Sequence, residues 1–160
     1  MENSNYAGFW LRFVAVIIDW IIISILQSVV IMPIFAMLGV GFASTSGFDI
    51  NSISEEDAIG MIAAFMAAAS AAMTISFVIR TLYFTLMESS KYQATLGKMA
   101  LGLKVTDMNG NKLDFVKALL RQLGKIISGM IMLIGYIMAG LTEKKQALHD
   151  ILAGALVVKK

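Results

Sequence analysis

Cysteine is absent from the 160 residues, and histidine and proline occur once each. The first absence excludes disulfides, thiolate metal ligands and cysteine nucleophiles. A single histidine without cysteine falls short of the three or four ligands a zinc site needs. Charge is scarce too: 15% of residues are Asp, Glu, Lys or Arg, against about 25% in soluble domains. What fills the chain instead is apolar, 58% of residues being hydrophobic with a mean hydropathy of +0.78. This is the composition of one integral membrane domain, residues 1–160, of a few spans. No cleavable signal peptide is expected, because residues 1–11 lack Lys and Arg and the apolar run that follows is too long. No nucleophile and base pair, carboxylate dyad or metal cluster emerges, so neither an enzyme nor a cofactor is expected. TLGKMALGLK (95–104) lacks phosphate-loop spacing and has Met99 where a hydroxyl is needed. Its glycines suit close packing instead. Nucleic acid is not an expected partner, since the basic residues form no recognisable binding motif.

The expected fold class is an all-α membrane protein: a small bundle of two to three transmembrane helices, the third segment re-entrant, with a short cytoplasmic β-hairpin. Span one covers about 9–42, long enough that it should tilt or kink at Pro33. Residues 43–57 are polar and contain no Lys or Arg, and Ser54 before Glu55, Glu56 and Asp57 is a helix start signal. Span two covers about 58–87. Gly60, Ala64, Ala68 and Ala72 recur there at four-residue spacing, a face that packs on another helix, in this chain or in a second copy. Residues 88–125 carry Lys91, Lys98, Lys104, Lys112, Lys117, Arg121 and Lys125, which makes this loop, and the N-terminus with it, cytoplasmic. Within the loop, LGLKVTDMNGNKLDF (101–115) reads as a strand, an Asn109-Gly110 turn and a return strand. Asp114 suits the cap of an amphipathic helix that follows. The apolar stretch 126–142 sits at the lower limit for crossing and is interrupted by Gly129, Gly135 and Gly140. A third crossing would export the lysine-rich tail, 143–160. A re-entrant or interfacial hairpin over 115–142 is therefore preferred, with a plain third span as the alternative. The tail's ALVV (155–158) is strand-like and could then pair with 101–105.

Charges inside the spans are the candidate functional residues. Asp19 lies seven residues inside Arg12, roughly 10 Å along the axis, and Arg80 lies eight residues inside Glu88, roughly 12 Å. Equal depth suggests that Asp19 faces Arg80, with Arg12 and Glu88 near the cytoplasmic interface. An unpaired charge at a helix centre costs on the order of 3 kcal/mol, so partners are required. Such a pair could fix helix packing, bind a cation or proton at Asp19, or meet an acidic ligand through Arg12 and Arg80. His149-Asp150 is a second polar pair, with His149 either on the polar edge of an interfacial helix or a proton site.

AGFWLRFVAVIIDWII (7–22), TLGKMALGLKVTDMNGNKLDFVKALLRQL (95–123) and KKQALHDILAGALVV (144–158) together resemble the RDD family of bacterial membrane proteins. By position, the arginine looks like Arg12 and the two aspartates like Asp19 and Asp150. TEKKQ (142–146) departs from the Asp-Pro-Arg-Arg-like turn common in that family. The resemblance implies a bacterial inner-membrane protein, for which transport of small ligands or sodium/proton exchange is the usual suggestion. Asp19 is then the ion or proton candidate, with Arg12, Arg80, Glu88 and Asp150 as electrostatic partners. Two or three spans enclose little by themselves, so a homo-oligomer surrounded by lipid is expected. The alternative is a non-transporting scaffold or regulatory subunit that binds a partner through the cytoplasmic loop. A transporter predicts a water-accessible cavity at Asp19, whereas a scaffold predicts a sealed one.

Overall fold

The computed structural model describes residues 5–46, 53–130 and 134–160. Two long helices dominate: α1, Phe9–Ser46, and α2, Glu55–Ser89. Both are long and apolar enough to cross a membrane, α1 over Phe9–Met37. Pro33 lies inside α1 without ending it. At the start of α2, Ser54 Oγ accepts from the Asp57 amide (3.1 Å) while the Asp57 carboxylate accepts from the Ser54 amide (3.4 Å) and hydroxyl (2.7 Å). This reciprocal cap satisfies amides that the helix ladder leaves open.

The chain divides into two compact units, residues 23–79 and the flanking segments 1–22 with 80–160. In the first, Gln27 Nε2 donates to the Ser76 carbonyl (3.0 Å) and Phe35 meets Phe65 with ring centroids 6.0 Å apart. Of the small-residue face, Ala68 and Ala72 are buried, whereas Gly60 is exposed.

In the other unit α2 leads into a short helix, α3, Leu96–Ala100, a strand, β1, Leu103–Asp107, and α4, Phe115–Met130. Then come α5, Ile134–Leu141, α6, Leu148–Leu152, and β2, Ala155–Lys159. β1 and β2 pair antiparallel, Val105 opposite Val157, which is the pairing expected between the loop and the tail. The return strand expected after the Asn109-Gly110 turn does not form. The turn itself is present, with Gly110 at φ 85° and the Asp107 carboxylate accepting from the Asn109 and Asn111 amides. The other edge of β1 is occupied: the Val105 amide donates to the Gln93 carbonyl (2.6 Å). The outer edge of β2 is covered likewise by Ala7, whose amide donates to the Val157 carbonyl (2.9 Å). Both edges of the small sheet are thus closed to further strands. Beneath it lies a core of Ala7, Ala15, Leu103, Val105, Leu113, Ala153, Ala155 and Val157.

Asp114 caps α4 through the Lys117 amide (2.7 Å). α5 doubles back on α4: Tyr136 donates to the Lys125 carbonyl (3.1 Å), and a Cβ at Gly135 would lie 2.8 Å from Ser128. α4 is amphipathic in the sense opposite to a soluble helix. Val116, Leu120, Leu123 and Ile127 are exposed while Ala118, Arg121, Gln122 and Ser128 are buried. An apolar outside and a charged inside suit a helix whose outer face meets lipid.

Candidate functional site

The end of α1 that begins at Phe9, the end of α2 at Ser89, and α3, α4 and α6 converge on one buried polar cluster. Arg121 of α4 is its hub. Its Nε donates to Asp150 Oδ1 of α6 (2.7 Å), and its Nη1 lies 2.6 Å from Glu88 Oε2 of α2. Glu88 also accepts from Lys98 Nζ of α3 (2.5 Å) and stands 3.7 Å from Lys125 Nζ. Asp150 pairs with Arg12 of α1 and accepts from the Ala147 amide (3.1 Å). Arg12 further donates through Nε to the Ala7 carbonyl (2.9 Å) and through Nη2 to the Lys145 carbonyl (2.6 Å). Four cations thus surround two carboxylates, and the Glu88, Arg121 and Asp150 side chains are almost wholly removed from solvent.

That charge balance governs titration in this cluster, the polar cap of the two long helices. Burial resists ionisation of Asp150, but Arg121 and Arg12 outweigh it and hold the carboxyl well below its ordinary range. Burial pushes the Lys98 ammonium down, against the pull of Glu88. Lys125 is pushed by burial to about 7, with Lys98 and Arg121 adding to the shift and Glu88 opposing it. Its Nζ is held by Gln122 Oε1 (2.9 Å) and lies 4.1 Å from the Phe84 ring centre. His149 packs on α4 at Gly124, where a Cβ would meet the His149 Cβ at 3.1 Å. Its Nδ1 is 3.3 Å from Ser128 Oγ and its Nε2 is 3.6 Å from Asp150 Oδ1. Burial pushes the imidazole to about 3, so it is neutral at pH 7.

Asp19 is sealed, its exposure being 0%. The expected ion pair with Arg80 does not form. Thr95 Oγ1 donates to Oδ2 (2.5 Å), and Tyr83 OH (2.9 Å) and the Gly97 amide (2.8 Å) donate to Oδ1. Arg80 is exposed and makes no ion pair among the described residues. Equal depth placed the two residues at one level, but level does not fix the direction around the helix axis, and α3 supplies neutral donors at shorter range. Gly97 is what permits this. A Cβ there would lie 2.2 Å from the Ala15 carbonyl oxygen, so only glycine lets α3 approach α1 this closely.

Of the residues expected from the sequence, Arg12, Glu88, His149 and Asp150 come together, Asp19 of α1 is bonded instead to Tyr83, Thr95 and Gly97, and Arg80 stands apart. Arg121, Lys98 and Lys125 were not anticipated as site residues, their charges reading as those of a solvated cytoplasmic loop. A signal existed in the spacing: 118, 121, 122, 125 and 128 share one helix face, opposite the apolar 116, 120, 123 and 127. Among the described residues no group of His, Asp and Glu is arranged to hold a metal.

Residues 6–154 match the model of the RDD family. The uncharacterized protein YxaI of Bacillus subtilis (strain 168) is 38% identical over 156 residues, 96% of this chain and 97% of that protein. The uncharacterized membrane protein YteJ of the same organism is 32% identical over 155 residues, 96% of this chain and 80% of that protein. No solved structure matches.

Proposed function

Because the chain belongs to the RDD family, we propose that it works in a bacterial inner membrane as a scaffold or regulatory subunit without a transport path of its own. The basic segment 88–125 supports a cytoplasmic position for the polar cap and the N-terminus. The observation that carries this reading is the closure of Asp19. A buried carboxylate that accepts three hydrogen bonds has most of its acceptor capacity committed to holding α1 against Tyr83 of α2 and against Thr95 and Gly97 at the start of α3. A cation would have to displace those donors. The cap is then a rigid platform, its elements tied by Arg121, Glu88 and Asp150, and its exposed loop serves protein contact.

A second reading, cation transport coupled to protons, draws on Lys125. This amine joins the buried network through a long 3.7 Å contact to Glu88, keeps 15% of its side chain exposed, and is pushed to about 7. Exchange would centre on Lys125 and Glu88 rather than Asp19, and a homo-oligomer would be needed to enclose a pathway.

Proton flux in sealed vesicles, driven by sodium, potassium or lithium gradients, separates the two. The scaffold reading expects no saturable flux above empty vesicles, with Asp19→Asn lowering thermal stability and leaving flux unchanged. Saturable flux that disappears in a folded Lys125→Gln variant would overturn it in favour of exchange.

A further inference from the structure

Beside the charged cluster, where the first turn of α1 meets α5, lies an open groove of about 400 Å³. Phe9, Trp10, Ile137, Gly140 and Leu141 line it, and Lys145 is the charged residue of its lining. The charged cluster holds this wall in place. Arg12 binds the Lys145 carbonyl, the Lys145 amide donates to the Thr142 carbonyl (2.9 Å), and Lys145 is fixed in the left-handed region at φ 48°. Its ammonium, like that of the exposed Lys144 next to it, makes no ion pair among the described residues. Exposed Glu143 is the one carboxylate of the same turn, so the lysines leave it positive.

We propose that this groove holds an acyl chain of an anionic phospholipid whose phosphate meets Lys144 and Lys145. The apolar lining accepts the chain and the lysines accept the headgroup, a charge complementarity that a zwitterionic lipid satisfies only in part. Position agrees with chemistry. Trp10, 73% exposed, stands at the first turn of an apolar span, the level at which tryptophan marks a membrane interface. An apolar helix from a second copy is a weaker occupant, because in lipid it gains no hydrophobic drive by leaving acyl chains for this groove.

The test is native mass spectrometry of the full chain in detergent, offered equal amounts of phosphatidylglycerol and phosphatidylcholine with matched acyl chains. The expected result is preferential retention of phosphatidylglycerol, by about fivefold for each lysine engaged. The double variant Lys144→Gln/Lys145→Gln should abolish that preference. Gly140→Leu should reduce retention of both lipids, because a Cβ at this position meets Phe9 at an ordinary 3.8 Å and a longer side chain enters the groove. Should Gly140→Leu misfold, the double lysine variant, whose changes are away from the core, decides alone. Equal retention of the two lipids, or a preference that survives loss of both lysines, overturns the proposal. So does displacement of the lipid by inorganic phosphate alone, which assigns the lysines to a free anion. A dimer lost on Gly140→Leu with lipid retention unchanged gives the groove to a second copy instead.

Discussion

In residues 23–79 the buried side chains are Ile23, Ala68 and Ala72, and no ion pair occurs among the described residues. In residues 1–22 and 80–160 the buried set includes Asp19, Glu88, Lys98, Arg121, His149 and Asp150. Apart from the acidic start of α2, the described residues of the first region present mainly apolar surface. Lipid solvates that surface as well as another helix does, so burial there adds little. The second holds charges that neither lipid nor an apolar core can accommodate unpaired, and each must therefore find a particular partner. The difference shows where the fold is specified: the apolar helices provide a place in the membrane, and the polar end provides a defined arrangement.

The strongest way to break this comparison is Arg121→Met. It leaves Glu88 and Asp150 without the guanidinium that joins them, although Lys98 and Arg12 remain. Removing one partner of a buried pair costs about 3–5 kcal/mol. Reversible unfolding in detergent micelles should register a loss of that order, with residual structure confined to the long helices. A loss below about 1 kcal/mol would mean that the charges are as dispensable as the apolar faces.

Both spans, the Ser54 and Asp114 caps and the pairing of 155–158 with 101–105 were legible in the sequence, because each depends on local composition or on a side requirement for the tail. The meeting of Arg12 with Asp150 was legible only as a likeness to a family pattern, since 138 residues separate them and no periodicity connects their ends. Asp19 shows what local reading misses. Its partners come from residues 83, 95 and 97, and all three donors, two hydroxyls and a backbone amide, carry no charge to attract notice. Lys98, Arg121 and Lys125 were hidden for the opposite reason. As lysines and arginines beside a membrane they served an orientation argument, which does not ask whether they point outward or in. The local hairpin failed because turn chemistry specifies the turn alone. Asp107 and Gly110 make it, but the two edges of β1 were taken by Gln93 and β2.

A smaller effect sharpens the comparison by tying it to pH. His149 titrates at about 3 in the fold and near 6.5 unfolded, so between these values the unfolded chain binds more protons. The contribution of His149 is therefore full above pH 6.5 and falls with acidification by up to about 1.4 kcal/mol per pH unit toward pH 3. Asp150 adds its own loss only below the ordinary carboxylate range, leaving pH 4.5–6.5 as the window for His149. Unfolding free energies across that window should slope in the parent chain and flatten in His149→Gln. An unchanged slope in the variant would place the sensitivity elsewhere.

The smallest effect belongs to the apolar region. Gln27→Leu removes the hydrogen bond to the Ser76 carbonyl, and that carbonyl remains within helix α2, where the ladder can still use it. Side-chain hydrogen bonds between helices in membranes average only about 0.6 kcal/mol, because the separated helices find other partners in the reference state. Leucine is also better solvated by lipid than an amide is, which offsets part of that loss. The expected change in unfolding free energy is therefore within about 0.6 kcal/mol of zero, several times smaller than for Arg121→Met in the same detergent. A loss matching that of Arg121→Met would invert the comparison: the apolar helices would then rely on a specific polar contact after all, and the charged cap would lose its standing as the place where the arrangement is set.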